Sequence, residues 1–161
     1  MFTVSDTIHI HAPIQRCFLL STHLELVGRT LGMRPMAGKT TGLVTGGDSV
    51  LLGGWKCGLP QMHESRITRY EAPGFFQDTM SRGRFKRFQH DHQFIEIDGH
   101  TLLSDKLRFS MPLGWGGKMV GKYVVLPRIS SSLRSQLELL KRVAENGEWR
   151  HYLPDLPEDT E

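Results

Sequence analysis

The sequence predicts an α+β fold in two layers, a curved antiparallel sheet of about six or seven strands wrapped around one long C-terminal helix. Three observations predict it. Residues 115–149 form the longest stretch with helical apolar spacing. The chain before it is a series of alternating segments joined by short turns. Two short helical stretches separate the first of those segments from the rest.

Phe2 to His11 alternates apolar and polar residues and reads as strand one. Ala12-Pro13 opens a helix carrying Ile14, Cys17 and Phe18 on its apolar face. A second helix runs from about His23 to Leu31 and stops at Gly32. Arg34 to Gly47 reads as a short edge strand with loops. Its Gly38-Lys39-Thr40 is not a phosphate loop, because Met33 stands where the upstream glycine belongs. Strands follow at Asp48–Lys56, Leu59–Tyr70, Phe75–Arg82, Arg84–Ile97 and Thr101–Met111. Ala72-Pro73-Gly74 and Asp98-Gly99 supply turns, the latter a two-residue hairpin signal.

The closing helix places Met119, Tyr123, Leu126, Ile129, Leu133, Leu137, Leu140 and Val143 three or four apart. Pro127 is expected to kink or divide it. Residues 1–152 are expected to form one domain, followed by an acidic flexible tail at 153–161.

A chain with 39% hydrophobic and 23% charged residues is ordinary for a soluble domain. No stretch has the apolar length of a membrane span, and the N-terminus lacks a secretory pattern. Cys17 and Cys57 match no metal spacing, and reduced, separate thiols fit a cytoplasmic location. Net charge of +3 is too small to argue for nucleic acid. The cluster Arg82, Arg84, Lys86 and Arg87 lacks the aromatic platform of an RNA binder and reads as a solvated strand end. The expected state is a monomer or homodimer with a hydrophobic small-molecule ligand and no nucleic acid, cofactor or metal.

Strand alternation assigns an inner face. It holds Thr101, Leu103, Asp105, Leu107, Phe109 and Met111 on the last strand, and Phe88, His90, His92 and Phe94 on the strand before. Phe76, Asp78 and Met80 share a face on the Phe75 strand, and His63, Ser65 and Ile67 on the Leu59 strand. Asp78, His90, His92 and Asp105 then look into an otherwise apolar interior. Such charges need partners, and Asp–His pairs suit acid–base work on a polar ligand group. A structural hydrogen-bonding role and a histidine metal pair are the alternatives, although no third ligand is fixed. Trp55, Trp115, Met119 and Tyr123 line the mouth or wall of a cavity, or are plain core. His9, His11, His23, His100 and His151 are scattered and receive no role.

The ordered set Phe76-Gln-Asp78-Thr-Met80, Gly83-Arg-Phe85, His90-Asp-His92-Gln-Phe94, Gly99-His-Thr101, Asp105 and Pro112-Leu-Gly114 carries a resemblance. With Leu126-Pro-Arg and Leu139-Leu-Lys-Arg-Val-Ala-Glu145 in the closing helix, it resembles the SRPBCC superfamily over about residues 2–145. That superfamily groups START lipid-transfer domains, polyketide cyclases and aromatases, and pollen-allergen-like proteins. The nearer likeness is to its bacterial cyclase/dehydrase-like branch. The resemblance implies a helix-grip fold with an internal cavity, and it does not imply one reaction.

The first expectation is therefore binding of a hydrophobic or amphipathic small molecule between sheet and helix. The ligand contacts would be Trp55, His63, Phe76, Met80, Phe94, Leu103, Leu107, Phe109, Met119 and Tyr123. The alternatives are a cyclase, aromatase or dehydratase using His90 or His92 as base with Asp105 or Asp78 orienting it, and a protein-interaction module docking through the basic helix face.

Overall fold

The computed structural model describes residues 1–56, 59–112 and 114–157. Seven antiparallel strands form one open sheet: β1 (Phe2–Ile10), β2 (Arg34–Gly38), β3 (Ser49–Lys56), β4 (Leu59–Glu71), β5 (Phe75–Arg82), β6 (Arg87–Ile97) and β7 (His100–Ser110). Their spatial order is β1-β7-β6-β5-β4-β3-β2. Strands β2 to β7 are a meander, and β1 returns to pair with β7, leaving β1 and β2 as the edges. Asp98 and Gly99 turn β6 into β7 with φ of 51° and 78°. Two positive φ values in succession are what a two-residue hairpin with the strands' own twist requires. Register irregularities interrupt the β4–β5 pair, with an extra residue on β5 (Ser81) opposite Glu64/Ser65 and one on β4 (Thr68) between Ile67 and Arg69, and such extra residues bend a strand.

Helices α1 (Ile14–Thr22) and α2 (Leu24–Leu31) follow β1, with Gly32 at φ 64° ending α2. The C-terminal helix is divided. Its parts are α3 (Gly114–Val120), a π-helical turn (Gly121–Val125) and α4 (Leu126–Glu145). Pro127 sits at the first turn of α4, where its missing N–H is tolerated, and the widened turn precedes it. The Leu126 N–H reaches back five residues to the Gly121 carbonyl. The helix ends at Glu145, earlier than its apolar spacing implies, because Asn146 is extended. Trp149 belongs to a separate short helix, α5 (Trp149–Tyr152).

Helix α4 packs on β1, α1 and α2. One buried cluster gathers Ile10, Phe18, Phe76, Phe94, Leu103, Leu137 and Val143. A second, at the other end of α4, holds Val4, Leu107, Phe109 and Leu133. The chain stays anchored beyond position 152: Leu153 is buried and Leu156 packs against the first cluster. The acidic residues at 158–161, and Cys57, lie outside the described residues. No helix among the described residues is long and apolar enough to cross a membrane.

The apolar stripe of the C-terminal helix requires a correction. Leu133, Leu137, Leu140 and Val143 are buried, but Met119 and Tyr123 are exposed. In α3 and the π turn, the buried positions are Gly117 and Gly121. A Cβ on Gly117 would stand 1.7 Å from the Pro112 carbonyl oxygen, and one on Gly121 2.5 Å from the Phe2 ring. The backbone itself is the packing surface there, so the large side chains turn outward.

Candidate functional site

The inner-face assignment from strand alternation holds on β7, where Thr101, Leu103, Asp105, Leu107 and Phe109 are all buried. Strand register then fixes the neighbours. His92 stands opposite Asp105 across the β6–β7 pair, and Asp78 opposite His90 across β5–β6. The four side chains form one cluster between the two core clusters.

His92 is the centre of it. Its Nδ1 lies 3.0 Å from Asp105 Oδ1 and its Nε2 3.4 Å from Asp78 Oδ2. The Ser65 hydroxyl donates to Asp78 Oδ1 at 2.7 Å. His90 Nε2 is 3.2 Å from Asp105 Oδ2, close enough for charge attraction but off the angle of a hydrogen bond. The two imidazoles overlap with centroids 3.8 Å apart, and Phe76 stacks on His92 at 4.2 Å.

These contacts set the charge state. Burial alone favours the neutral imidazole of His92. The charge of Asp105 and the hydrogen bonds to Asp105 and Asp78 outweigh that, and the pKa rises to about 10. Burial likewise opposes ionisation of Asp105, but His92 and His90 hold its carboxyl far below the usual carboxylate range. Asp78 is also lowered: burial acts against it, and the His92 hydrogen bond, the His90 and His92 charges and Ser65 prevail. An imidazolium thus sits between two carboxylates. His63, nearby on β4, is held below its ordinary value by burial, with Asp78 pulling the other way.

The cluster is not sealed. Asp78 and His92 keep 18% and 14% of their side-chain surface, and His63, Ser65 and Met80 beside them are half-buried. The other expected ligand contacts divide into two groups. Phe76, Phe94, Leu103 and Phe109 are 0–3% exposed. A side chain lining a water-sized hollow would keep accessible surface, so these are packed core. Phe76 and Phe94 close on the Phe18 ring, and Phe109 stacks on Phe2. Leu107 is buried beside Phe109 in the second cluster. Trp55 and Tyr123, 73% and 62% exposed, are surface residues, as are Met119 and Trp115, and none forms an interior wall. The accessible inner face therefore narrows to Asp78, His92, His63, Ser65 and Met80. Phe85 and Phe88, partly buried on the second cluster, flank it, with Phe88 edge-on to His63 at 5.1 Å.

Asp78, His90 and His92 also bring three possible metal-ligand atoms within 4.8 Å of one another. Their mutual pairing competes with that use, since a metal ligand must be a deprotonated imidazole. Two surface concavities lie apart from the cluster's open side, one along the end of α4 at Glu138–Asn146 and one on the outer face of the sheet around Ser5, Asp91 and Arg108.

This architecture recurs in solved structures. TTHA0849 from Thermus thermophilus superposes with a TM-score of 0.68, at 17% identity, over 88% of this chain and 95% of its own. The chain has the helix-grip fold. A START superfamily protein from Mycobacterium smegmatis gives 0.66 at 16% identity, over 87% of this chain and 97% of that one. Ara h 8.0201 gives 0.65 at 11%, over 89% and 97%. At these identities the helix-grip likeness concerns the fold. No family model matches the sequence, and no curated protein matches it significantly.

Proposed function

We propose that the protein binds a hydrophobic or amphipathic small molecule against the concave face of its helix-grip sheet, between sheet and C-terminal helix. The observation that carries this reading is the charged array Asp78–His92–Asp105, open to water at Asp78 and His92, on a face whose remaining accessible part is His63, Ser65 and Met80 and whose borders are apolar. Water at the open side offsets part of the cost of burying these charges. A partly open array exchanges that water for a ligand's polar end at little cost. Both His92 nitrogens already face carboxylates, so the free capacity is acceptor capacity on Asp78. The ligand is accordingly one with a hydroxyl or similar donor at its polar end, and an apolar body beside Met80, Phe85 and Phe88. The SRPBCC likeness in the sequence supports the same reading.

Native mass spectrometry of protein purified from its own host tests this. A retained apolar molecule, lost on Asp78→Ala, is the expected result. Protein that carries nothing and shows no saturable binding of anilinonaphthalene sulfonate overturns it.

The second reading is acid–base catalysis of the cyclase, aromatase or dehydratase kind. Its favouring observation is the same buried imidazolium, but the roles change. His92, with its pKa raised to about 10, stabilises developing negative charge rather than acting as base, and the base falls to His90. Turnover of a polyketide-like substrate that survives His90→Ala would reject it.

A further inference from the structure

His9, His11 and His100 are far apart in the chain, and the sheet brings them together. Strands β1 and β7 pair so that His9 lies opposite Leu102 and Ile10 opposite Thr101. The same register carried one step further sets His11 opposite His100. Residues opposite one another share a face, and so do residues two apart on a strand. All three imidazoles therefore stand on the outer face, away from the buried cluster. Their ring centroids are 4.5 Å apart for His11 and His100, 4.9 Å for His9 and His11, and 5.5 Å for His9 and His100.

We propose that His9, His11 and His100 form a three-histidine site for a borderline transition-metal ion of the Zn2+ class, with a fourth position open to water. One nitrogen of each ring lies within 4.8 Å of the other two. Ligands at about 2.0–2.1 Å from a tetrahedral zinc stand roughly 3.4 Å apart. Small side-chain rotations close that gap, and the exposed rings of His9 and His11 are free to make them. Among the described residues, no hydrogen bond engages a ring nitrogen of any of the three.

The surroundings do not oppose a cation. Lys141, whose ammonium donates to the His9 carbonyl, is paired with Glu145 at 2.9 Å. Glu145 also accepts from the His11 backbone N–H at 2.8 Å, so its carboxylate lies beside the triad. An all-imidazole set selects Zn2+, Cu2+ or Ni2+ and discriminates against Ca2+ and Mg2+, which take oxygen ligands. A bound ion would clip the end of β1 to the start of β7 and stabilise the native state by mass action.

The test is calorimetric titration of chelator-treated protein with Zn2+ at neutral pH, with Mg2+ and Ca2+ as controls. One saturable Zn2+ site per chain is expected, together with a rise in Tm and no response to the controls. Histidine ring signals in proton NMR should broaden or shift for three residues. His100→Gln and His11→Gln should each weaken the site at least about tenfold, since loss of a direct ligand costs no less than loss of its supporting partner. His90→Gln should leave it intact. Binding that persists in His100→Gln, or that is lost in His90→Gln, assigns the ion to the buried Asp78–His90–His92 set and overturns the proposal. Absence of saturable binding overturns it as well.

Discussion

His92 and Asp105 face each other across the β6–β7 pair, Nδ1 to Oδ1 at 3.0 Å, and Asp105 is buried almost completely. The pair belongs both to the sheet's interior and to the charged patch that stays accessible on its inner face. Removing Asp105 leaves the His92 imidazolium with Asp78 as its one carboxylate in the cluster, and removing His92 leaves the buried Asp105 with His90 alone. Asp105→Ala should cost about 3–5 kcal/mol, whereas replacing both residues with leucine should cost much less. Urea unfolding of the two single variants and the double variant measures this. A loss within about 0.5 kcal/mol for Asp105→Ala, the scale of a surface change, would show that the pair bears no weight.

The same cluster gives stability a pH dependence with a definite sign. The folded His92 pKa is raised from 6.5 to about 10, so its contribution is complete below pH 6.5 and fades as pH climbs towards 10. Asp78 and Asp105 are lowered from 3.8, so theirs is present above about pH 4 and is lost on acidification through their folded values. The contribution of these three groups to chemical unfolding midpoints should be greatest between about pH 4 and 6.5 and decline on the alkaline side, while His63, whose pKa burial lowers from 6.5, withdraws stability as pH falls below that value. His92→Gln should flatten the alkaline limb while retaining an acid limb. An unchanged alkaline limb in that variant would place its origin elsewhere.

Much of this was legible in the sequence, for a simple reason. A strand fixes the face of every second residue, so Asp105 among Leu103, Leu107 and Phe109 already declared its direction, and Asp98-Gly99 declared the hairpin that sets the β6–β7 register. Three things were hidden. The approach of α3 through Gly117 and Gly121 is a property of backbone against Pro112 and Phe2, and glycine reads only as a weak helix former, so Met119 and Tyr123 took the inward face by default. The meeting of His11 with His100 depends on the first strand pairing with the last, which periodicity does not encode. The burial of Arg16 depends on the end of α4 arriving over α1, a tertiary contact that the spacing of α1 does not encode.

Arg16 is in fact buried against the end of α4. Its Nη1 donates to the Ala144 carbonyl at 3.1 Å, and its guanidinium lies 4.1 Å above the Trp149 ring. A helix C-terminus leaves carbonyls without partners and carries partial negative charge, which a guanidinium satisfies. Arg16→Met keeps much of the volume and loses the donors. It should cost about 1.5–3 kcal/mol in urea unfolding, the usual value for a hydrogen bond to a charged group. A neutral outcome would mean that packing on Trp149 alone holds the contact.

Cys17 should be inert in the native protein. It is fully buried, and burial pushes its thiol up to about 11, with Thr101 and Arg16 opposing. The thiolate is the reactive species, so both access and ionisation are denied. In a Cys57→Ser background, a disulfide reagent at about pH 8 should label no thiol until denaturant is added. Rapid stoichiometric labelling of the folded variant would contradict the burial.

The glycine face of the C-terminal helix makes a prediction of opposite signs at neighbouring positions. Gly121→Ala adds a methyl group 2.5 Å from the Phe2 ring and 2.9 Å from Met111, both packed against the second core cluster. Overpacking of this kind costs about 1–3 kcal/mol. Gly116 lies in α3 with nothing within 4 Å of its added Cβ. There the methyl group meets only solvent, and alanine's better helix propensity, worth roughly 0.5–1 kcal/mol, should prevail. Thermal unfolding should therefore rank Gly116→Ala above the parent and Gly121→Ala below it. If both substitutions stabilise, α3 and the π turn do not rest on β1 through their backbone, and the outward turn of Trp115, Met119 and Tyr123 loses its cause.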